Sequence, residues 1–389
     1  MNILCLGPVM SKALCDDYFV YKRLKEKGAK IAFITGKTSG ARANSIKLLS
    51  YEIDDGIPIH RLYRDPYEIA FLPRRKLKNV LKIAEQLNPD IIYSKGADVT
   101  HLSSMVSKHL RIPLVVHVEI ASGIISEKFV GSLKLRAIRL LSGLPIRGPQ
   151  LWSWACKKAD ALITSHPPDQ QILDLLSEHG KPVYYLPWPA NIPEGCKLQS
   201  KRDNNRGIYA GLLVPFKNTQ EFEWVLPLIL QKTPTKEFVV IGTGAHSVII
   251  QKLKQQFGDA IKYIPSLPRR QVIQMISGSY YAFTPVKKGG WGFIGDCWAT
   301  ETPLIMLNNV FMSKELDSCV ARNGEDLVQK INLLYKDPLF YLKLQKAGSD
   351  AYSRRTADAV GDELYAILSR TIDNVRLGSS DQIYSRKER

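Results

Sequence analysis

Residues 2–8 (NILCLGP) and 16–36 (DDYFVYKRLKEKGAKIAFITG) decide the fold of this chain. The apolar run that ends at Gly7 predicts a buried strand. Residues 16–27 begin with acids and end with bases, which favours a helix, and Gly28 is placed to close it. Residues 30–36 predict a second strand. Strand, helix and strand in this order form the right-handed crossover of a parallel sheet, so the chain opens as a doubly wound α/β domain.

The same alternation continues along the chain. Its strands are short, apolar and without a polar face, as expected when helices cover both faces of a parallel sheet. In the first half, strands are predicted at 90–93, 113–118 and 161–164 and helices at 76–87, 99–110 and 151–158. In the second half, strands are predicted at 207–209, 238–241, 261–263, 281–284 and 302–307, and helices at 218–230, 245–256, 270–277 and after Gly324. Periodicity alone predicts two Rossmann-like domains in tandem.

A polar stretch rich in proline and glycine separates the two halves and marks a linker. The length of 389 residues also fits two domains rather than one. We expect an N-terminal domain at 1–190, a linker at 191–205 and a second domain at 206–348. Helices at 349–377 follow, and the polar, basic residues 378–389 predict a disordered tail.

Composition excludes several classes of protein. Hydrophobic residues make up 45% and charged residues 23%, as in an ordinary folded globular protein. No apolar run is long enough to span a bilayer, and the N-terminus does not have the pattern of a signal peptide. The six cysteines are scattered without a C-x-x-C pair, which disfavours a zinc or redox site. We therefore expect a cytoplasmic protein with reduced thiols.

The net charge of +17 predicts attraction to polyanions: anionic lipid, nucleic acid or phosphorylated substrates. Charge alone does not choose among them. No recognised nucleic-acid-binding motif accompanies the charge, so we expect no nucleic-acid partner.

In open α/β sheets, ligands bind at the carboxyl ends of the strands, so the loops there are the first places to search. Gly211 and Lys217 follow one predicted strand, and Lys217 at a helix entrance can pair with a phosphate. Gly242 and Gly244 form a glycine-rich turn after the next strand. Each loop also has a structural interpretation, namely a solvated lysine and glycines that serve only the turn.

The most informative stretch is 284–307, TPVKKGGWGFIGDCWATETPLIML. Gly290 and Gly292 precede a predicted helix whose first N–H groups can bind a diphosphate. Asp296 lies in the first turn of that helix. Its carboxylate can either contact a ligand or stabilise the helix end.

These elements resemble the retaining sugar-nucleotide glycosyltransferases of the family-4 type, which have the GT-B fold. In that family a G-R-x-x-x-x-K loop is followed by a V-G-x-G turn and a segment like E-G-F-G-x-x-x-x-E-A-M-A-C-G-T-P-V-I. The counterparts here are AGLLVPFK, VIGTGA and GGWGFIGDCWATETPLIM. In the first half, PDIIYSKG, RIPLVVHVEI and KKADALITSHPP resemble D-V-V-H-x-H-G, I-P-x-V-x-T-x-H and A-D-x-V-I-x-x-S. The resemblance covers nearly the whole chain.

The resemblance implies two Rossmann-like domains facing across a cleft, and a nucleoside diphosphate sugar as donor with no further cofactor. It implies that Asp296 contacts the ribose hydroxyls, that Leu267 belongs to the base-binding loop and that His117 contacts the donor sugar or the reacting centre. A buried structural histidine is the alternative for His117. The remaining donor contacts would come from the glycines named above, Lys217 and Phe293, and the acceptor side from Gly7 and Glu119. No D-x-D motif is present, so we expect metal independence.

The resemblance also implies that the segment 349–368 packs back on the first domain, through Val360, Leu364 and Ile367. The chain departs from the family at Leu212, where an arginine is expected. The first of the family's two glutamates falls at Lys288 or Gly289, and the second is shortened to Asp296.

Two basic clusters point to the acceptor. Residues 127–147 interleave apolar and basic side chains, and a second run comprises Arg74, Arg75, Lys76 and Lys78. Such stretches can lie on an anionic membrane surface or form a solvated face. The first interpretation predicts peripheral contact with the inner face of the cell membrane and a saccharide or lipid-linked acceptor in cell-envelope polysaccharide or glycolipid synthesis. Two other functions stay open: a nucleotide-sugar epimerase or hydrolase, and a non-catalytic nucleotide-binding protein.

Overall fold

The computed structural model describes residues 1–11, 15, 17–37, 48–64, 73–118, 137, 140, 153, 156–165, 180–287, 291–309 and 314–387. The chain divides into two compact units. Unit 1 comprises Met1–Pro187 together with Ala357–Arg389, and unit 2 comprises Trp188–Thr356.

Unit 1 is built on a sheet in which the strands pair in parallel, except that β3 pairs antiparallel with β4. The strand order is β3-β4-β2-β1-β5-β6-β7-β8. The strands are β1 (Asn2–Leu6), β2 (Lys30–Gly36), β3 (Tyr51–Asp54), β4 (Ile57–Tyr63), β5 (Ile91–Lys95), β6 (Leu114–Val118), β7 (Ala161–Thr164) and β8 (Val183–Tyr185).

The described helices of unit 1 are α1 (Tyr18–Glu26), α2 (Pro73–Leu87), α3 (Ala97–Leu110) and α10 (Ala357–Lys387). Helix α10 packs against α1 and completes the core. Val360, Leu364 and Ile367, the residues expected to make this contact, are at most 1% exposed in the same apolar cluster as Val20 and Leu24. The return to unit 1 begins at Ala357 rather than at 349.

Unit 2 holds a parallel sheet in the order β11-β10-β9-β12-β13-β14. Its strands are β9 (Asp203–Ala210), β10 (Glu237–Ile241), β11 (Ile261–Ile264), β12 (Ser279–Thr284), β13 (Leu304–Leu307) and β14 (Val320–Ala321). Renumbered within the unit, this is 3-2-1-4-5-6, the order of doubly wound nucleotide-binding sheets. Both predictions of a doubly wound α/β domain are therefore confirmed.

The helices of unit 2 are α4 (Phe222–Lys232), α5 (Ser247–Phe257), α6 (Arg269–Ser277), α7 (Trp291–Ala299), α8 (Gly324–Lys336) and α9 (Pro338–Ser353). Short 3-10 turns cover Pro215–Lys217, Thr219–Glu221, Gly258–Ala260 and Lys314–Cys319. The predicted helix at 218–230 therefore starts later, because Asn218 has a left-handed backbone (φ 55°) that interrupts it.

Two further sequence expectations differ from the structure. Unit 2 begins at Trp188, so the expected linker at 191–205 belongs to that unit, and β9 starts within it. The expected disordered tail instead continues α10 to Lys387. Extending an existing helix needs no new nucleation, and residues 378–387 contain no proline to stop it. The predicted helix at 151–158 lies largely outside the described residues.

Within the described ranges, no helix is long and apolar enough to cross a membrane. The same ranges contain no group of three or more His, Cys, Asp or Glu side chains placed to hold a metal ion.

Candidate functional site

The topology of unit 2 gives it a ligand-binding position. Strands β9 and β12 are neighbours, but the chain leaves them toward opposite edges of the sheet. Ligands of doubly wound sheets bind outside the carboxyl ends of the strands at such a switch point. The loop that follows β9, which contains Lys217, and the one that follows β12, which leads into α7, flank this position. The loop 210–217 and the described start of α7 therefore follow two neighbouring strands, on either side of the position where the sequence predicted donor binding.

The glycines after β9 and β10 pack backbone against backbone. A Cβ on Gly242 would lie 1.9 Å from the carbonyl oxygen of Gly211, and one on Gly244 would lie 2.3 Å from that of Leu213. Both Gly242 (φ 144°) and Gly244 (φ 152°) have backbone angles that other residues rarely adopt. The loop packing alone thus requires these glycines, which supports the structural interpretation of this turn.

Lys217 is a half-buried cation at the switch point. Its Nζ lies 5.4 Å from the ring centroid of Phe216, and among the described residues no carboxylate pairs with it. Burial lowers the pKa of Lys217 below its ordinary value, because the charged form loses part of its hydration. An anion that binds beside Lys217 would compensate for this loss. Leu212, which stands at the family's arginine position, is an exposed apolar side chain in the same loop.

The N-terminus of α7 lies beyond the carboxyl end of β12, one of the two strands at the switch point. Apart from its chain neighbours and the backbone of its own helix, no atom of the described residues lies within 4 Å of the place where a Cβ on Gly292 would be. No described residue accepts a hydrogen bond from the N–H of Gly292 or Phe293. The Phe293 ring packs on Tyr209 of β9, with 5.2 Å between centroids. The first turn of α7 carries the positive end of a helix dipole, which attracts an anion.

A buried arginine adds positive charge near this helix. The Arg355 guanidinium lies over the Trp291 ring at 4.5 Å and over the Trp298 ring at 5.2 Å, both from α7. Its Nη1 donates to the carbonyl of Trp188 at 3.3 Å. Arg355 therefore anchors α7 and raises the electrostatic potential there. The sequence offered no signal for it, because its partners are distant along the chain.

Asp296 is buried and paired. Because α7 includes Trp291 and Gly292, Asp296 lies in its second turn and not, as the sequence predicted, in its first turn. Its two carboxylate oxygens accept hydrogen bonds from Nη1 and Nη2 of Arg269, the first residue of α6, with Nη2 to Oδ1 at 2.5 Å. Sequence reasoning did not single out Arg269. An arginine in the first turn of a helix opposes the helix dipole, and this was a signal that an anionic partner compensates for it.

Leu267 lies apart from the switch point. It is half-buried in the segment between β11 and α6 and lines a cavity of about 490 Å³ together with Gln271 and Gln274. That cavity follows one side of α6. Lys217 does not line this cavity, and the role of Leu267 in base binding stays a prediction.

The remaining predicted residues belong to unit 1 or lie outside the described ranges. Gly7 directly follows β1, and its carbonyl accepts a hydrogen bond from the Tyr63 hydroxyl. Glu119 and Gly290 fall outside the described residues, as do Lys288, Gly289 and most of 127–147.

His117 is a buried residue of β6, 5% exposed. Its Nδ1 shares a hydrogen bond with the Tyr93 hydroxyl, and its Nε2 lies 2.6 Å from Oγ of Ser165. Counted along I-P-x-V-x-T-x-H, His117 falls at the threonine of that motif and Glu119 at its histidine. Both observations favour the structural interpretation, and the catalytic role of His117 stays a prediction.

The switch point of unit 1 lies between β1 and β5. There the Lys95 ammonium pairs with the Asp17 carboxylate, and the two side chains are only 11% and 9% exposed. The Tyr21 hydroxyl also donates to Asp17, at 3.2 Å. Sequence reasoning missed this pair, whose members are 78 residues apart.

Comparison with known proteins gives likeness in structure but not in sequence. No family model matches the chain, and no curated protein matches it in sequence. Among solved structures, a sucrose-phosphate synthase from Thermosynechococcus elongatus has a TM-score of 0.72 at 13% identity, covering 96% of this chain and 99% of that one. A UDP-forming trehalose-phosphate synthase from Burkholderia xenovorans has a TM-score of 0.65 at 12% identity, covering 96% and 99%.

The Anabaena protein HepE in complex with UDP has a TM-score of 0.65 at 14% identity, covering 95% of this chain and 100% of that one. These neighbours are GT-B glycosyltransferases with two Rossmann-like domains. Since the likeness spans both units and nearly the full length of each neighbour, this chain has the GT-B fold.

Proposed function

We propose that this chain is a glycosyltransferase that moves a sugar from a nucleoside diphosphate sugar to a saccharide or lipid-linked acceptor with retention. The observation that carries the proposal is that the half-buried Lys217 and the first turn of α7 follow β9 and β12, the two neighbouring strands at the switch point of unit 2. The structural neighbours support UDP as the nucleotide, since solved complexes of HepE contain UDP or UDP-glucose.

The proposed chemistry explains why these groups are needed. As the bond between sugar and diphosphate breaks, negative charge builds up on the leaving diphosphate, and fixed positive groups stabilise it. The Lys217 ammonium can pair with one phosphate, while the N–H groups of Gly292 and Phe293 can bind the other. These groups supply the positive charge that a metal ion supplies in other transferases, so we propose that the reaction is metal-independent.

Retention rests on resemblance. A trehalose-6-phosphate synthase structure from a study of glycosyl transfer with retention shares the fold at a TM-score of 0.67 and 10% identity. Both ring nitrogens of His117 already have hydrogen-bond partners within unit 1, Tyr93 and Ser165.

We propose that the acceptor belongs to cell-envelope polysaccharide or glycolipid synthesis and that the enzyme works in the cytoplasm at an anionic membrane surface. Helix α2 supports this placement, since it exposes Arg74 and Lys78 while burying Val80 and Ala84. All six cysteines are free thiols, which fits a reducing compartment.

The test is a panel of nucleotide sugars, first for binding by calorimetry and then for turnover with cell-envelope glycolipids and free saccharides. We expect a UDP-sugar to bind and UDP to be released only when an acceptor is present. Release of free sugar without an acceptor would identify a hydrolase, and a changed sugar on intact nucleotide would identify an epimerase. Binding without any turnover would identify a non-catalytic protein. No binding of any nucleotide sugar contradicts the proposal.

A further inference from the structure

The Arg269–Asp296 pair presents an unusual surface to a ligand at α7. The guanidinium binds both carboxylate oxygens of Asp296 in a fork. The Asp296 side chain is 5% exposed, whereas that of Arg269 is 39% exposed. The accessible member of the pair is therefore the cation.

This arrangement matters for nucleotide recognition. The resemblance gives Asp296 the ribose hydroxyls, and a carboxylate would accept hydrogen bonds from them. Here the carboxylate is buried beneath Arg269 and already accepts two charge-assisted hydrogen bonds. A guanidinium only donates, so a hydroxyl that meets it must accept.

The position of the pair fits this role. Arg269 opens α6 directly after the segment that contains Leu267, and Asp296 lies in the second turn of α7, one turn beyond Gly292. A diphosphate at the N-terminus of α7 would place the adjoining ribose along the next turn of that helix.

We propose that Arg269 is the residue that contacts the ribose of the donor nucleotide and that Asp296 is a positioning residue, which holds the guanidinium fork in place. This proposal rests on the proposed function, since it assumes that a nucleoside diphosphate binds unit 2. The recognised group is a ribose hydroxyl oxygen that accepts a hydrogen bond. In this chain the buried acid thus acts on the nucleotide through an arginine.

The test compares the affinity for UDP with that for 2′,3′-dideoxy-UDP, measured by calorimetry for the wild type, Arg269→Gln and Asp296→Asn. We expect the wild type to prefer UDP by about tenfold or more, the range for a hydrogen bond to a charged group. In Arg269→Gln the preference should fall to within about twofold. In Asp296→Asn it should fall by less, because an amide still accepts a hydrogen bond from Arg269.

Arg270→Gln is the matched control, since the neighbouring Arg270 donates to the Glu194 carbonyl at 2.9 Å and faces no carboxylate of α7. It should keep the wild-type preference. If Arg269→Gln does not fold, Arg269→Lys keeps a cation beside the buried carboxylate but loses the fork, and its preference should fall at least about threefold.

The proposal is overturned if the wild type shows no ribose preference, or if Asp296→Asn reduces the preference as much as Arg269→Gln does. An unchanged preference in folded Arg269→Gln or Arg269→Lys also overturns it, because the pair is then purely structural. A wild type that binds no UDP at all refutes the proposed nucleotide instead.

Discussion

The carbonyl oxygen of Gly211 occupies the space in which a side chain on Gly242 would begin, 1.9 Å from the Cβ position. A Gly242→Ala variant must therefore move one of two strand-end loops and adopt a strained backbone angle. We expect it to lower the free energy of unfolding by about 3 kcal/mol, measured by urea denaturation. A loss below about 0.5 kcal/mol would contradict this packing.

Gly292→Ala is the informative counterpart, because a Cβ at Gly292 meets open space. In a helix alanine is favoured over glycine, so this variant should be as stable as the wild type or up to about 1 kcal/mol more stable. If phosphates approach the first turn of α7, the added methyl group should nevertheless weaken UDP binding. Equal UDP affinity in calorimetry, together with an unchanged melt, would show that no ligand comes close to Gly292.

Lys217→Ala should weaken UDP binding by about tenfold or more, because a charge-assisted hydrogen bond is lost. Lys254→Ala, which removes an exposed lysine of α5, should leave the affinity unchanged. Unchanged UDP affinity in Lys217→Ala would remove this residue from the site.

The pH dependence of binding follows from the lowered pKa of Lys217. A bound diphosphate favours the charged ammonium, so UDP affinity should fall as pH rises through the pKa of the free protein. That fall should begin at a lower pH than for an exposed lysine, whose pKa is 10.5. The pH dependence of folding stability has the opposite sign. Burial in the folded state disfavours the protonated form of Lys217, so this contribution to the free energy of unfolding should become more favourable as pH rises. In Lys217→Ala, this decrease in UDP affinity at alkaline pH should be absent.

His117→Ala should act on stability. Removing the ring leaves Ser165 Oγ and the Tyr93 hydroxyl without this partner in a buried site, which costs about 2–4 kcal/mol. Urea denaturation measures this cost, and UDP binding by the folded variant should be unchanged. If instead the variant keeps wild-type stability and loses turnover, His117 is a catalytic residue.

The sequence predicted the alternating elements of both units because their strands are continuous apolar runs. It missed the hairpin of β3 and β4, although residues 54–56 read Asp-Asp-Gly between alternating segments. Asp55 (φ 48°) and Gly56 (φ 71°) form its turn. Pro58 within β4 obscured this signal, because proline usually disfavours a strand, and here β4 pairs with β3 near the edge of the sheet.

The candidate site was predictable only in part. Lys217 and the glycines lie in loops directly after strands, so topology rules locate them. The partners of Asp296 and His117 come from other strands and helices, and no local pattern pairs Asp296 with Arg269 or His117 with Ser165. Tertiary structure was needed to show that these polar side chains are already engaged.

Helix α10 should be required for the stability of unit 1. Leu364→Ala opens a cavity in the core shared with α1 and should cost about 2–5 kcal/mol in urea denaturation. Leu377→Ala is the matched control, since Leu377 is 66% exposed, and it should change stability by less than about 0.5 kcal/mol. Equal effects of the two variants would mean that α10 does not pack on this core.

Anionic vesicles should bind the protein reversibly at low salt. Each basic side chain near such a surface contributes about 1 kcal/mol to the binding free energy, and salt screens this attraction. The protein should no longer sediment with the vesicles when glutamine replaces Arg74, Arg75, Lys134, Arg136 and Arg139. The control is a variant in which glutamine replaces five exposed lysines of unit 2, and it should still bind the vesicles. These lysines are Lys232, Lys252, Lys254, Lys262 and Lys336. Equal sedimentation of both variants would favour a soluble acceptor.

The central claim is that unit 2 binds the donor diphosphate at its switch point, and a crystal structure of the protein with UDP tests it most directly. We predict phosphate oxygens within hydrogen-bond distance of Lys217 Nζ and of the Gly292 or Phe293 N–H. UDP bound elsewhere, for example in the cavity along α6 with its phosphates away from both Lys217 and α7, would contradict the claim.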